Sequence, residues 1–137
     1  MNHPALSQSE AVARVEQLVR DTAGAVSPPP RLELIESSVP PHTCLSGDQP
    51  QGKVVVGRAY WLRDVPKGEQ IALSQQISAH WQAQGHRITA SGKPGAIGVN
   101  AMSPSDGFIL ALTLTKEGEL YLAASSPCVW PDGTPSP

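Results

Sequence analysis

Apolar residues recur along the chain in two different periods, and the change of period marks out the elements. Leu6-Ser7-Gln8-Ser9-Glu10 opens a helix. Ser7 stands as N-cap with Glu10 three residues on, a capping box, and Leu6 is placed to staple onto Ala11. Val12, Val15, Leu18 and Val19 follow at helical spacing, leaving Arg14, Glu16, Gln17 and Arg20 outside. Gly24 should stop this helix, and Ser27-Pro28-Pro29-Pro30 forbids its resumption. Leu32, Leu34 and Ile35 against Glu33 and Glu36 predict a short, half-exposed strand. Residues 37–52 read as a loop. Lys53 to Leu62, with Val54, Val55, Val56, Tyr60 and Trp61, predicts a strand, in which Gly57 marks a bulge.

Pro66-Lys67-Gly68 turns the chain into a second helix. Ile71, Ser74, Ile77 and Trp81 form its inward stripe, Gln75, Gln76, Gln82 and Gln84 face water, and Gly85 takes the position just past its end. Strands are then expected from Arg87 and over Ala96–Met102. After the Ser103–Gly107 turn, Phe108, Leu110, Leu112 and Leu114 alternate with Ile109, Ala111, Thr113 and Thr115. Lys116-Glu117-Gly118 joins this strand to Glu119–Ser125 as a hairpin, with glycine at its left-handed position.

The predicted order is therefore α-β-β-α-β-β-β-β. Neighbouring strands on short turns pair antiparallel, and one-sided helices need a face to cover. The expected architecture is α+β, with two helices packed on one face of a twisted antiparallel sheet of five or six strands. It occupies residues 7–130 as a single domain, between a disordered start (1–6) and a disordered tail (131–137).

Composition narrows the function. The chain has 137 residues, a net charge of −2 and no basic cluster. That argues against a nucleic-acid partner or an anionic membrane surface. The longest apolar runs, Val54–Val56 and Phe108–Leu112, fall far short of the ~20 residues of a transmembrane helix. Met1-Asn2-His3-Pro4 lacks the basic and apolar regions of a signal peptide. The chain is therefore either cytosolic or the remainder of an exported protein.

The two cysteines bear on that choice. Their wide spacing fits neither a zinc site nor a CxxC motif. Each lies in a turn-like setting, Pro40-Pro41-His42-Thr43-Cys44 and Ser126-Pro127-Cys128. A single Cys44–Cys128 disulfide is favoured over two free thiols. Closing so long a loop is worth about 4 kcal/mol in the chain-entropy model. Such a bridge implies an oxidising compartment; free thiols would return the protein to the cytoplasm.

No catalytic constellation stands out. Gly47-Asp48-Gln49-Pro50-Gln51-Gly52-Lys53 matches the GxxxxGK of a phosphate loop. Val54 replaces the magnesium-holding hydroxyl, however, and a strand rather than a helix is expected next. His80 and His86 are six apart and do not stack as a helical metal pair; His3 and His42 are isolated. There is no GxSxG around Ser46 or elsewhere, and Glu33/Glu36 and Glu117/Glu119 read as solvated pairs. No catalytic residue, metal or cofactor is therefore assigned. Trp81 belongs to the core. Tyr60 and Trp61, adjacent on one strand, must face opposite sides of the sheet. One packs under the helices while the other lies on the open face, and Trp130 either covers the disulfide or is exposed. Tyr60, Trp61 and Trp130 are the candidate binding residues.

From Ile77 onward the chain resembles a group of small uncharacterised lipoproteins of actinobacteria. The resemblance is carried by His80-Trp81-Gln82-Ala83-Gln84-Gly85-His86-Arg87-Ile88, Ser105-Asp106-Gly107-Phe108, the apolar hairpin and Ser126-Pro127-Cys128. In that group a YWxxxGY helix end, an SPDGF turn and a TPC segment occur in the same order. Here His80 and His86 replace the tyrosines and Ser126 the threonine. The resemblance also places a cysteine in the loop after the first strand, where Cys44 stands. It implies an exported domain, tethered by a lipidated cysteine on a leader region, and supplies a place rather than a reaction.

The expected function is a cell-envelope binding domain without catalytic activity, meeting a protein partner outside the membrane. The alternatives are an inhibitor or immunity protein against a toxin or hydrolase, inserting a loop such as residues 37–52, and a carrier of a small apolar ligand held between helices and sheet.

Overall fold

The computed structural model describes residues 6–44, 52–91 and 97–131. Helix α1 (Gln8–Gly24) starts at the expected capping box: the Ser7 hydroxyl accepts from the Glu10 amide at 3.2 Å, and the Glu10 carboxylate accepts from the Ser7 amide at 2.9 Å. A further amide of the first turn, on Gln8, donates to the carbonyl of Pro131 at 3.0 Å, which ties the helix start to the far end of the chain. Gly24 does not end the helix in a left-handed turn. It is the last helical residue, with Ala25 as cap in a right-handed conformation, and the proline run beyond makes the stop.

Helix α2 (Gln70–Ala83) follows a single 3-10 turn over Lys67–Glu69. It closes as expected: Gly85 has φ +86°, its amide reaches the Gln82 carbonyl at 3.0 Å, and the His86 amide reaches that of Trp81 at 2.9 Å. Its inward stripe is corrected. Gln70, Leu73, Ser74, Ile77 and Trp81 are buried, whereas Ile71 is 42% exposed. Gln70 tolerates burial because its side-chain amide donates to the Gly118 carbonyl at 2.9 Å.

The main sheet has six antiparallel strands: β1 (Arg31–Leu34), β4 (Gly57–Arg63), β5 (Arg87–Ser91), β6 (Val99–Met102), β7 (Ile109–Leu114) and β8 (Leu120–Ser125). Their spatial order is β1-β4-β8-β7-β6-β5, so β8, the last of these six in sequence, lies between β4 and β7. A separate ribbon pairs β2 (His42–Thr43) with β3 (Val54–Val55). The stretch expected as one strand from Lys53 to Leu62 is thus two strands meeting at Val56. There the backbone changes partners: β3 faces β2 and Val129, while the Val56 amide bonds the Ser126 hydroxyl at 3.0 Å and β4 turns to β8. Gly57 is no bulge; a Cβ there would come within 3.1 Å of the Ala124 carbonyl oxygen.

Both helices lie on one face, α1 over β4 and β8, α2 over β5 and β6. Between helices and sheet sit Val15, Val19, Ile77, Trp81, Phe108, Leu110, Leu112 and Leu122, all buried. Trp81, at 0% exposure, donates its indole N–H to the Thr22 hydroxyl at 2.8 Å, and Thr22 donates in turn to the Leu18 carbonyl at 2.8 Å. Of the ends expected to be disordered, only Leu6 and Pro131 fall among the described residues, and both join the fold; the rest lie outside them. No helix of the described residues is long and apolar enough to cross a membrane.

Candidate binding surface

The alternation of β4 sends its adjacent aromatics apart. Tyr60 points under α1, where its hydroxyl donates to the Glu16 carboxylate. Burial and that carboxylate push its pKa up to about 12. Trp61 lies on the face that neither helix covers. The register pairs it with Tyr121 of β8, and the two rings meet edge to face at 5.8 Å between centroids. The Arg63 guanidinium lies 5.2 Å from the centre of the Trp61 ring. It is held there from both sides, donating to Glu33 at 3.1 and 3.4 Å and to Glu119 at 2.9 Å. Hydrogen bonding to Arg63 lowers the Glu33 pKa. Glu33 and Glu119 are therefore the two arms of a clamp rather than merely solvated carboxylates.

Two residues farther along the strands, register brings Ala59, Ala123 and Ala111 side by side. The next row holds Ser125, Ile109 and Met102, and Ile109 is 48% exposed. At ~3.4 Å per residue, the aromatic row and the Ile109 row stand about 14 Å apart, with alanine as the floor between them. The face that neither helix covers thus carries an aromatic row and an Ile109 row with alanines between them. One row is aromatic and the other aliphatic, and Arg63 is ion-paired with both Glu33 and Glu119.

Trp130 lies elsewhere. It is half-buried against Gly52, whose Cβ would come within 3.3 Å of the ring, and the Lys53 ammonium lies 5.3 Å from its centre. It packs on the leg of the ribbon and forms one side of a surface groove of about 900 Å³, together with Leu6, Arg14, Pro104 and Pro127. Cys44 and Cys128 are joined, with their Cα atoms 5.9 Å apart, and tie the ribbon to the segment after β8. The structure thus places Trp61 and Trp130 on separate surfaces and Tyr60, half-buried, against α1.

Lys53 runs into a strand, as the phosphate-loop argument required; Gly47–Gln51 lie outside the described residues. His80 and His86 border a cavity of about 90 Å³ with Arg14, Asp21 and Gln84. Burial and the neighbouring Arg14 lower the His86 pKa. Among the described residues no group of three or more His, Cys, Asp or Glu could hold a metal ion.

Tyr121, Arg63 and the alanine row were not singled out from sequence. Their signal is the outward half of each strand alternation, which becomes a surface only once the β4–β8 pairing is known. Comparison of the chain with family models, with curated proteins and with solved structures returned no match.

Proposed function

We propose that the protein is a non-catalytic binding domain working outside the membrane in the cell envelope, and that it docks a protein partner on the uncovered face of its sheet. The observation carrying this reading is the clamped Trp61–Tyr121–Arg63 cluster beside an alanine floor. Rigid aromatic and arginine anchors next to small residues are the composition of interface hot spots. Fixed in advance, they cost little further ordering on binding. The disulfide supports placement in an oxidising compartment, in keeping with the lipoprotein resemblance. The carrier reading needs space between helices and sheet, where Trp81, Phe108 and Leu110 are packed to 0% exposure. The inhibitor reading draws on a loop whose residues 45–51 lie outside those described.

The test is photo-crosslinking. A photoreactive side chain at position 111 is irradiated with an envelope fraction of the cells that make the protein. A discrete product is expected, weakened about 30-fold by Trp61→Ala, as befits an anchor worth about 2 kcal/mol. A product that survives Trp61→Ala, or that forms equally well from position 75 on the outer face of α2, refutes the reading.

A further inference from the structure

The two ends of the disulfide lie in different settings. Cys128 belongs to the segment after β8, which is anchored on both sides. The Ser126 amide donates to the Val56 carbonyl at 2.8 Å, Val54 and Val129 exchange two hydrogen bonds of 2.8 Å, and the Pro131 carbonyl accepts from α1. Cys44 follows β2, whose His42 and Thr43 are both exposed. β2 pairs with β3 in a two-residue ladder, extended by the Cys44 amide on the Lys53 carbonyl at 3.1 Å. A ribbon of that size does not stand on its own. The exposures differ in the same direction: Cys128 is exposed and Cys44 half-buried.

We propose that Cys128 is a thiol–disulfide exchange site and the bridge a local latch on β2. An incoming thiolate bonds to the Cys128 sulfur; the Cys44–Cys128 bond breaks, and its electron pair leaves with the Cys44 sulfur, which takes a proton from water. A second thiol attacks the mixed disulfide, releasing Cys128 as thiolate and leaving the two attacking sulfurs joined. In all, two electrons pass from two thiols to the bridge. The reaction follows access to the sulfur attacked. Its consequence is that β2 comes away from β3, baring an apolar strand edge at Val54 and Val55, while the six-stranded sheet stays closed.

The oxidised full chain is exposed briefly to a thiol, trapped with N-ethylmaleimide and mapped by mass spectrometry. Reduced glutathione and a CxxC oxidoreductase lacking its second cysteine are run as separate arms, to tell a small thiol from a protein-borne one. The adduct should lie on Cys128, with maleimide on Cys44, in an excess on the order of tenfold. An adduct on Cys44, an even division, or a bridge that reacts in neither arm overturns the proposal. Hydrogen exchange on the reduced, alkylated protein checks the latch. Protection should be lost at Cys44 and around His42–Thr43 and retained in β7 and β8; loss throughout the sheet, or no loss anywhere, overturns it.

Discussion

Replacing Thr22 by valine tests the polar link that sets α1 against α2. Thr22 is 2% exposed, and its hydroxyl is the acceptor for the indole N–H of Trp81, which has no access to water. Valine has nearly the same shape and helix propensity, so packing and backbone terms almost cancel. What remains is a buried donor without a partner, costing about 1–3 kcal/mol. At about 2 kcal/mol, a domain of this size should lose about 8 °C in Tm. Thr22→Ser keeps the oxygen and gives up one methyl, worth about 0.8 kcal/mol. Urea unfolding followed by circular dichroism measures both, and a double-mutant cycle with Trp81→Phe isolates the bond. In the Trp81→Phe background, Thr22→Val should cost no more than about 0.5 kcal/mol. Equal costs in the two backgrounds, or serine as damaging as valine, would refute the argument.

Three further outcomes are expected. Tyr60 should ionise near pH 12 in an absorbance titration, and Glu16→Gln should bring it down toward 10.0. Because the folded value is the raised one, the stabilisation is full below 10 and disappears as pH rises toward 12; a midpoint indifferent to Glu16→Gln contradicts this. His86 should titrate below 6.5 by NMR, since burial and the Arg14 charge, with a lesser contribution from His80, outweigh the opposing Asp106. Its contribution is complete above 6.5 and lost as pH falls below that, so His86→Asn should flatten the acid limb of the stability profile. Gly85→Ala meets no atom within 4 Å, so its cost is conformational alone. It should be about 1–2 kcal/mol, read as a lower urea midpoint with unchanged slope.

What could be read from sequence was what short stretches of chain decide for themselves. The Ser7–Glu10 box, the Gly85 cap and the Gly118 turn are each complete within five or six residues, and each formed as expected. The hairpin β7–β8 followed from its alternation for the same reason. The break at Val56 was hidden because three consecutive valines look alike whatever they face. Their separation into ribbon and sheet depends on distant partners, Ser126 on the Val56 amide 70 positions away and Val129 on Val54. Ile71 and Leu73 point about 200° apart around the helix, so only one of them can face the core. The inward stripe runs through Gln70, Leu73, Ser74, Ile77 and Trp81, with the Gln70 amide satisfied by a carbonyl of the β7–β8 turn. The disulfide was legible from the setting of its cysteines. The proposed binding face was legible only by half: alternation turned Trp61 away from Tyr60, but Tyr121 and the alanine row wait on a register between distant strands.

The strand order also governs when this fold can exist. A ribosome that has reached Glu119 has delivered every strand except the one that separates β4 from β7. Without β8 the strand order leaves two groups, β1–β4 and β5–β6–β7, and no strand to join β4 to β7. The final strand is thus the keystone of the assembly. A nascent chain cannot close the six-stranded sheet before β8 has been made. A chain truncated before Leu120 lacks the strand with which both groups pair, and a peptide spanning β8, supplied in trans, offers one edge to β4 and the other to β7.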